Sequence, residues 1–294
     1  MIEHKTQMQP TAKQIIGYLD KFVIGQDYAK QVLANVVANR LKSEMHMQTT
    51  KNVLLYGPSG SGKTLMINKL TEFVQVGYIR ISAVNLMEST IEQCLHIVNK
   101  NQHTLVLIDD IDLFCISHTH LHEMLIAQKR LVDLLDGKMI FNKFDQQQFK
   151  KVIFVCAGTF SNASLNKLIP ALQAQFPARA ELNMLDQFEL LNILHLDSNN
   201  YVLGDYIKLF QMNQIKLMFE DCALMELARL AFIYNQKEQN IGIKRLNLML
   251  EELFKPILLN VENYMGNELI IDIKYVQNMF IQPTQTIDYN NYIL

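Results

Sequence analysis

The stretch from Asn52 to Thr64 reads Asn-Val-Leu-Leu-Tyr-Gly-Pro-Ser-Gly-Ser-Gly-Lys-Thr and has the residue types and spacing needed to hold a polyphosphate. Gly57, Gly60 and Gly62 let the backbone turn so that its N–H groups point inward at an anion, and Pro58, Ser59 and Ser61 complete the loop. Lys63 supplies a mobile cation and Thr64 a hydroxyl ligand for magnesium. A second stretch, Thr104-Leu-Val-Leu-Ile-Asp109-Asp110-Ile-Asp112, runs four apolar residues into acids. Asp109 can hold magnesium there, directly or through water, and Asp110 can orient an attacking water. Alone this would be an acidic turn; beside a phosphate loop it reads as hydrolytic machinery.

These residues need a scaffold, and the pattern around them supplies one. Val53, Leu54 and Leu55 read as a buried parallel strand. The helix that starts near Gly62, with Leu65, Met66, Ile67 and Leu70 on its buried side, adds its positive N-terminal end to the loop. Upstream, a short helix spans Thr11 to Asp20. A longer one places Ala29, Val32, Leu33, Val36, Val37 and Leu41 on one face and Lys30, Asn35, Asn39 and Lys42 on the other. Downstream come a strand from Tyr78 to Val84, a helix from Glu88 to Asn99 and a helix from Leu121 to Leu135 closed by Asp136-Gly137. A strand from Lys151 to Cys156, a short helix near Pro170 to Pro177 and a last strand from Ala180 to Leu185 complete the alternation. Alternating strands and helices predict a parallel sheet sandwiched by helices, with ligands at its carboxyl edge. From Asp186 the pattern turns helical. Asp186 and Glu189 form a capping box, Ala223–Tyr234 and Ile243–Leu259 read as helices, the latter broken or bent at Pro256, and Leu269–Ile273 reads as a small strand. The expected domains are 1–185, α/β and nucleotide-binding, and 186–294, smaller and mainly helical.

Composition narrows the class. A chain of 294 residues with 49% hydrophobic residues can bury a core in each of two domains, and its net charge of -2 gives no general attraction to nucleic acid or an anionic membrane. No apolar run approaches bilayer length, and the N-terminus lacks the apolar core of a secretory signal, so a cytoplasmic protein is expected. Cys94, Cys115, Cys156 and Cys222 are widely separated and suit a reducing compartment. His118 and His122 would share a helical face, but no further His follows Glu123 at the spacing of a zinc protease helix. That stretch reads as a solvated loop feeding a helix.

Over nearly its whole length the sequence resembles the Clp/Hsp100 branch of AAA+ ATPases, and within it the HslU-type unfoldases. The segment Tyr18 to Gln26 is similar to the one that lays backbone against adenine, which gives Val23 and Ile24 that role. Gly57–Thr64 matches Walker A, Leu105–Asp110 Walker B, and Phe154–Phe160 the first-sensor strand. Leu168 to Leu182 carries the HslU-like signature, Asn240 to Leu246 resembles the second-sensor helix of the lid, and Tyr292-Ile293-Leu294 resembles the tail that docks into the partner peptidase. The resemblance implies ATP and Mg2+ as cofactors and a hexameric ring of identical subunits. It also implies an HslV-like peptidase partner, protein substrates, and no nucleic-acid or membrane partner.

The sequence departs from that family at chemically important places. Asp110 stands where the family has glutamate, shorter by about 1.5 Å. Gln175 replaces the arginine finger, which leaves Arg179 to reach a neighbour's site. Lys244 replaces the second-sensor arginine, keeping the charge without the planar fork, while Arg245 beside it is retained. Ala157 occupies the polar first-sensor position, and Thr159 substitutes only if the turn presents it. Neither the aromatic pore loop, sought between Ser82 and Glu92, nor the family's inserted domain finds a counterpart. The expected function is an ATP-dependent unfoldase subunit of a self-compartmentalised protease. One alternative is a weakly or non-hydrolysing nucleotide-bound regulator or scaffold. A more distant one is an AAA+ remodeller of nucleic-acid complexes.

Overall fold

The computed structural model describes residues 9–42, 52–87, 103–115, 121–137, 151–160, 165–196 and 202–280. The chain divides into two compact units, Met1–Met184 and Leu185–Leu294. In the first, five strands pair in parallel: β1 (Val53–Tyr56), β2 (Gly77–Ser82), β3 (Thr104–Asp109), β4 (Val152–Gly158) and β5 (Ala178–Glu181), in the order β2-β3-β4-β1-β5. The interior strands β3 and β4 are buried at every position, which is why they read as unbroken apolar runs, whereas the edge strand β2 alternates.

Because successive strand residues point to opposite faces, the sheet feeds two apolar layers. One joins Leu54, Val106, Ile108, Phe154 and Cys156 to Leu131 and Leu134 of the helix Leu121–Leu135. The other joins Val53, Leu55, Leu105, Leu107 and Val155 to Ile15, Leu33 and Val37 of the N-terminal helices and to Met66 and Leu70 of the helix Lys63–Val74. The parallel sheet sandwiched by helices is therefore as the sequence predicts. Burial pushes the Cys115 thiol up to about 11 and raises Cys156 further, so both stay protonated and pack as small hydrophobes.

Several boundaries and faces differ from the sequence reading. β5 starts at Ala178 and ends at Glu181, because Pro177 closes the turn before it and its pairing with β1 runs from Val53↔Ala178 to Tyr56↔Glu181. β2 stops at Ser82, where the Asn85 side chain accepts from the Ser82 N–H at 3.1 Å and turns the chain into the helix Ala83–Met87. Leu65 is 37% exposed instead of buried, since Met66, Ile67 and Leu70 already fill the core-facing stripe of its helix. Lys30, assigned to the solvent face, is buried to 3% because Asp20 at 2.5 Å and Asp27 at 3.1 Å supply its countercharge. The expected helix Glu88–Asn99, His118 to His120 and the tail Tyr292–Leu294 lie outside the described residues, while His122 and Glu123 are exposed in the first turn of the helix Leu121–Leu135.

In the second unit the capping box at Asp186 is formed: its side chain accepts from Glu189 N at 2.7 Å, and Glu189 returns the bond to Asp186 N at 2.9 Å. Such a cap stabilises a helix by roughly 1 kcal/mol. The helices Gly204–Met212, Asp221–Lys237 and Lys244–Leu259 close a core around Phe210, Leu227, Leu253 and Phe254. The last of these runs through Pro256 as one element and is not broken there. The small strand near Leu269 is β7 (Glu268–Ile271), and its parallel partner, β6 (Lys216–Phe219), went unread in the sequence. Four residues with a partner so distant in the chain give no local signal.

Candidate functional site

Gly57 leaves β1 with φ 141°, and a Cβ there would lie 2.3 Å from the Leu182 carbonyl oxygen. Its N–H donates to Gly158 O at 3.3 Å, so the loop begins wedged between the ends of β4 and β5. Gly62, with φ 101°, caps the helix Lys63–Val74 in a conformation that side chains rarely adopt. The Lys63 ammonium folds back and donates to the carbonyls of Gly57 at 2.6 Å and Pro58 at 2.8 Å. Ser61 is buried, and its hydroxyl has no hydrogen-bond partner among the described residues. A buried, unsatisfied hydroxyl beside a lysine solvated by its own loop fits an incoming polyphosphate, which supplies acceptors to both. Thr64 sits half-buried in the first turn of the same helix.

The segment carrying Val23 and Ile24 is brought to this loop. Val23 is buried, its Cγ1 3.8 Å from where a Gly62 Cβ would stand, and Ile24 is half-buried. Lys30 Nζ holds the Val23 carbonyl at 3.3 Å. Gln26, itself at φ 59°, donates to Asn183 O at 3.0 Å and accepts from Asn183 N at 2.9 Å, tying the segment to the chain beyond β5. Neither contact was legible in the sequence. The family-like Gly25-Gln26 pair is the signal that points to a turn there. Burial, reinforced by Glu181, raises the Tyr56 phenol above its ordinary value, so it is neutral beside the loop.

The acids stand at the carboxyl edge of β3, separated from the loop by the single strand β4, roughly 10 Å in strand spacings. Asp109 is buried; its Oδ2 accepts from Arg80 Nη2 at 2.7 Å and its Oδ1 from Asp110 N at 3.1 Å. Asp110 is exposed at φ 62°, a left-handed conformation that aspartate tolerates better than most residues. Hydroxyl and carboxylate oxygens from Thr64 and Asp109 form a hard donor set that suits magnesium.

Other expected residues are engaged elsewhere. Thr159 cannot replace the polar first sensor as placed, because its N–H and hydroxyl both donate to the buried Asp112 carboxylate, at 3.0 and 2.7 Å. Ala157 is fully buried within β4. Arg179 is exposed on β5 and donates to Phe176 O at 2.8 Å and Gln173 O at 2.5 Å, binding down the turn after the helix Pro170–Ala174. Gln175 donates to Asp136 Oδ1 at 2.5 Å. Lys244 lies in the second unit, exposed at the first position of its helix, and Arg245 beside it pairs with Glu238 at 2.8 Å. Among the described residues, no group of three or more His, Cys, Asp or Glu side chains could hold a metal, and no helix is long and apolar enough to cross a membrane.

A glycine-rich loop after β1 and carboxylates at the carboxyl end of β3 in a 2-3-4-1-5 parallel sheet define an AAA+ P-loop NTPase fold, and residues 53–184 match the ATPase family associated with various cellular activities (AAA). Within that class the chain is HslU-like. The ATP-dependent protease ATPase subunit HslU of Lactobacillus gasseri is 31% identical over 196 residues, covering 66% of this chain and 42% of the relative. Its counterpart in Campylobacter jejuni (strain RM1221) is 29% identical over 194 residues, 65% of this chain and 44% of the relative. That of Thermoanaerobacter sp. (strain X514) is 27% identical over 168 residues, 57% and 36%. The chain spans less than half the length of these relatives.

Proposed function

We propose that this protein binds Mg-ATP in the Gly57–Thr64 loop and hydrolyses it as an HslU-like ATPase subunit that acts with a self-compartmentalised peptidase on protein substrates. One observation carries the nucleotide reading: a loop with no room for a side chain at Gly57 closes around Lys63 and the buried Ser61 hydroxyl, which has no partner among the described residues. Lys63 exchanges its two carbonyl acceptors for phosphate oxygens, a charge-assisted and therefore stronger pairing. The backbone of Gly57 to Gly62 donates to the phosphates, and Val23 and Ile24 cover the base. Thr64 and Asp109 would hold the magnesium ion, which when bound neutralises developing phosphate charge. Asp110 is the group that directs water, and its exposed position leaves it accessible to that water. Lys244 is exposed at the first position of its own helix, at the positive end of the helix dipole, where a nearby anion would be favourable.

On this reading the working form is a six-membered cytoplasmic ring, Arg179 approaches a neighbour's nucleotide, and the tail ending in Leu294 engages an HslV-like peptidase. Arg179 must first release the carbonyls of Phe176 and Gln173, so turnover is slow. That same engagement, with Gln175 tied to Asp136, favours as a second reading a regulator that is switched by nucleotide binding alone.

Mixing the protein with a purified HslV-type peptidase distinguishes them. ATP should raise cleavage of a short peptide several-fold and also permit degradation of a folded protein. Stimulation of peptide cleavage alone, equal with a non-hydrolysable analogue, would identify the regulator. No change in any nucleotide state would contradict the peptidase partnership.

A further inference from the structure

Asp109 is asked to hold a metal, yet its Oδ2 already accepts a hydrogen bond from an arginine. Arg80 lies on the edge strand β2, where Arg80↔Leu107 and Ser82↔Asp109 are register partners. Ser82 and Asp109 share one face of the sheet, and Arg80, two residues before Ser82, shares it as well. Its side chain therefore reaches one diagonal step along the sheet and places Nη2 2.7 Å from Oδ2. The Arg80 side chain is 54% exposed and that of Asp109 9%. An arginine on an edge strand discourages pairing with another chain while its head group stays in water. That duty does not require it to turn inward onto a buried carboxylate.

We propose that Arg80 is a counter-ion gate on Asp109, neutralising the carboxylate until a divalent cation displaces it and so setting how tightly the metal is held. A buried carboxylate without a countercharge is costly, and guanidinium cannot shed its charge to accommodate a second cation. Metal and Arg80 therefore compete for the same oxygen. Because Arg80 is half exposed, it moves into water at little cost when the metal arrives, and it returns when the metal leaves with product. Arg80 is thus a positioning residue, which acts through Asp109, and the inference rests on the Mg-ATP reading above.

The test is a titration of the full-length protein with Mn2+, followed by electron paramagnetic resonance, in the presence of a non-hydrolysable ATP analogue. Arg80→Met, and Arg80→Gln as a second neutral variant, should bind Mn2+ more tightly by on the order of tenfold. Arg80→Lys, which restores a cation, should fall back toward the wild-type affinity. Without metal, both neutral variants should unfold at lower temperature than wild type, and Mn2+ should recover that loss. Unchanged or weaker Mn2+ affinity in the folded neutral variants, with the wild type binding normally, would overturn the gate alone. Failure of the wild type to bind Mn2+ with the analogue would overturn the Mg-ATP reading as well.

Discussion

Gly57→Ala should cost the protein both its stability and its nucleotide. The added methyl would lie 2.3 Å from the Leu182 carbonyl oxygen, and the residue would have to hold φ 141°. The neighbour it meets is backbone, and that backbone is fixed: Leu182 N donates to Tyr56 O at 2.7 Å, while Gly57 N is bonded to Gly158 O. Relief therefore requires β1 and the end of β5 to separate. Strain of this kind costs roughly 3 kcal/mol or more, which for a unit of this size lowers the melting temperature by about 6–12 °C. Gly17→Ala is the natural control, because nothing lies within 4 Å of its added Cβ and the residue sits exposed inside the helix Ala12–Leu19. It should raise stability by about 0.5–1 kcal/mol. Equal melting temperatures for the two variants would contradict the wedged-loop geometry.

Lys63→Ala should leave the protein folded and remove most of its affinity for ATP. Lys63 also serves the loop, donating to Gly57 O and Pro58 O. Its loss frees two carbonyls, which lowers stability by roughly 1–2 kcal/mol. Toward nucleotide the loss is larger, since the ammonium gives charge-assisted bonds to phosphate. A loss of about 2–3 kcal/mol corresponds to a dissociation constant weaker by roughly 30–150-fold. Titration with a fluorescent ATP analogue measures this directly. An affinity within about threefold of wild type would mean that phosphate does not sit where the loop geometry puts it.

What could be read in the sequence, and what could not, follows from chain distance. The phosphate loop and the acids of β3 are contiguous motifs, and the unbroken apolar runs of β3 and β4 announce strands buried on both faces, so the α/β architecture was legible. Lys30 was not: helical spacing put it on the polar face, and although Asp27 stands three positions before it, only the fold brings Asp20 to it and buries the pair's ammonium. Arg80 with Asp109, Asp112 with Thr159, and Gln26 with Asn183 are brought together by the fold across 29, 47 and 157 positions. No window of sequence contains both partners. Thr159 shows the converse, a residue chosen for its type and position that the fold commits to Asp112. Arg179 was chosen the same way, and the structure shows it first as a clamp on its own turn.

The central claim is tested most directly by steady-state ATP hydrolysis with magnesium, at protein concentrations high enough for subunits to assemble, with Lys63→Ala as the blank. The account predicts slow turnover that rises with protein concentration, as a neighbour's Arg179 comes to each site, and that Lys63→Ala abolishes. Folded wild-type protein that neither binds nor turns over ATP would contradict it.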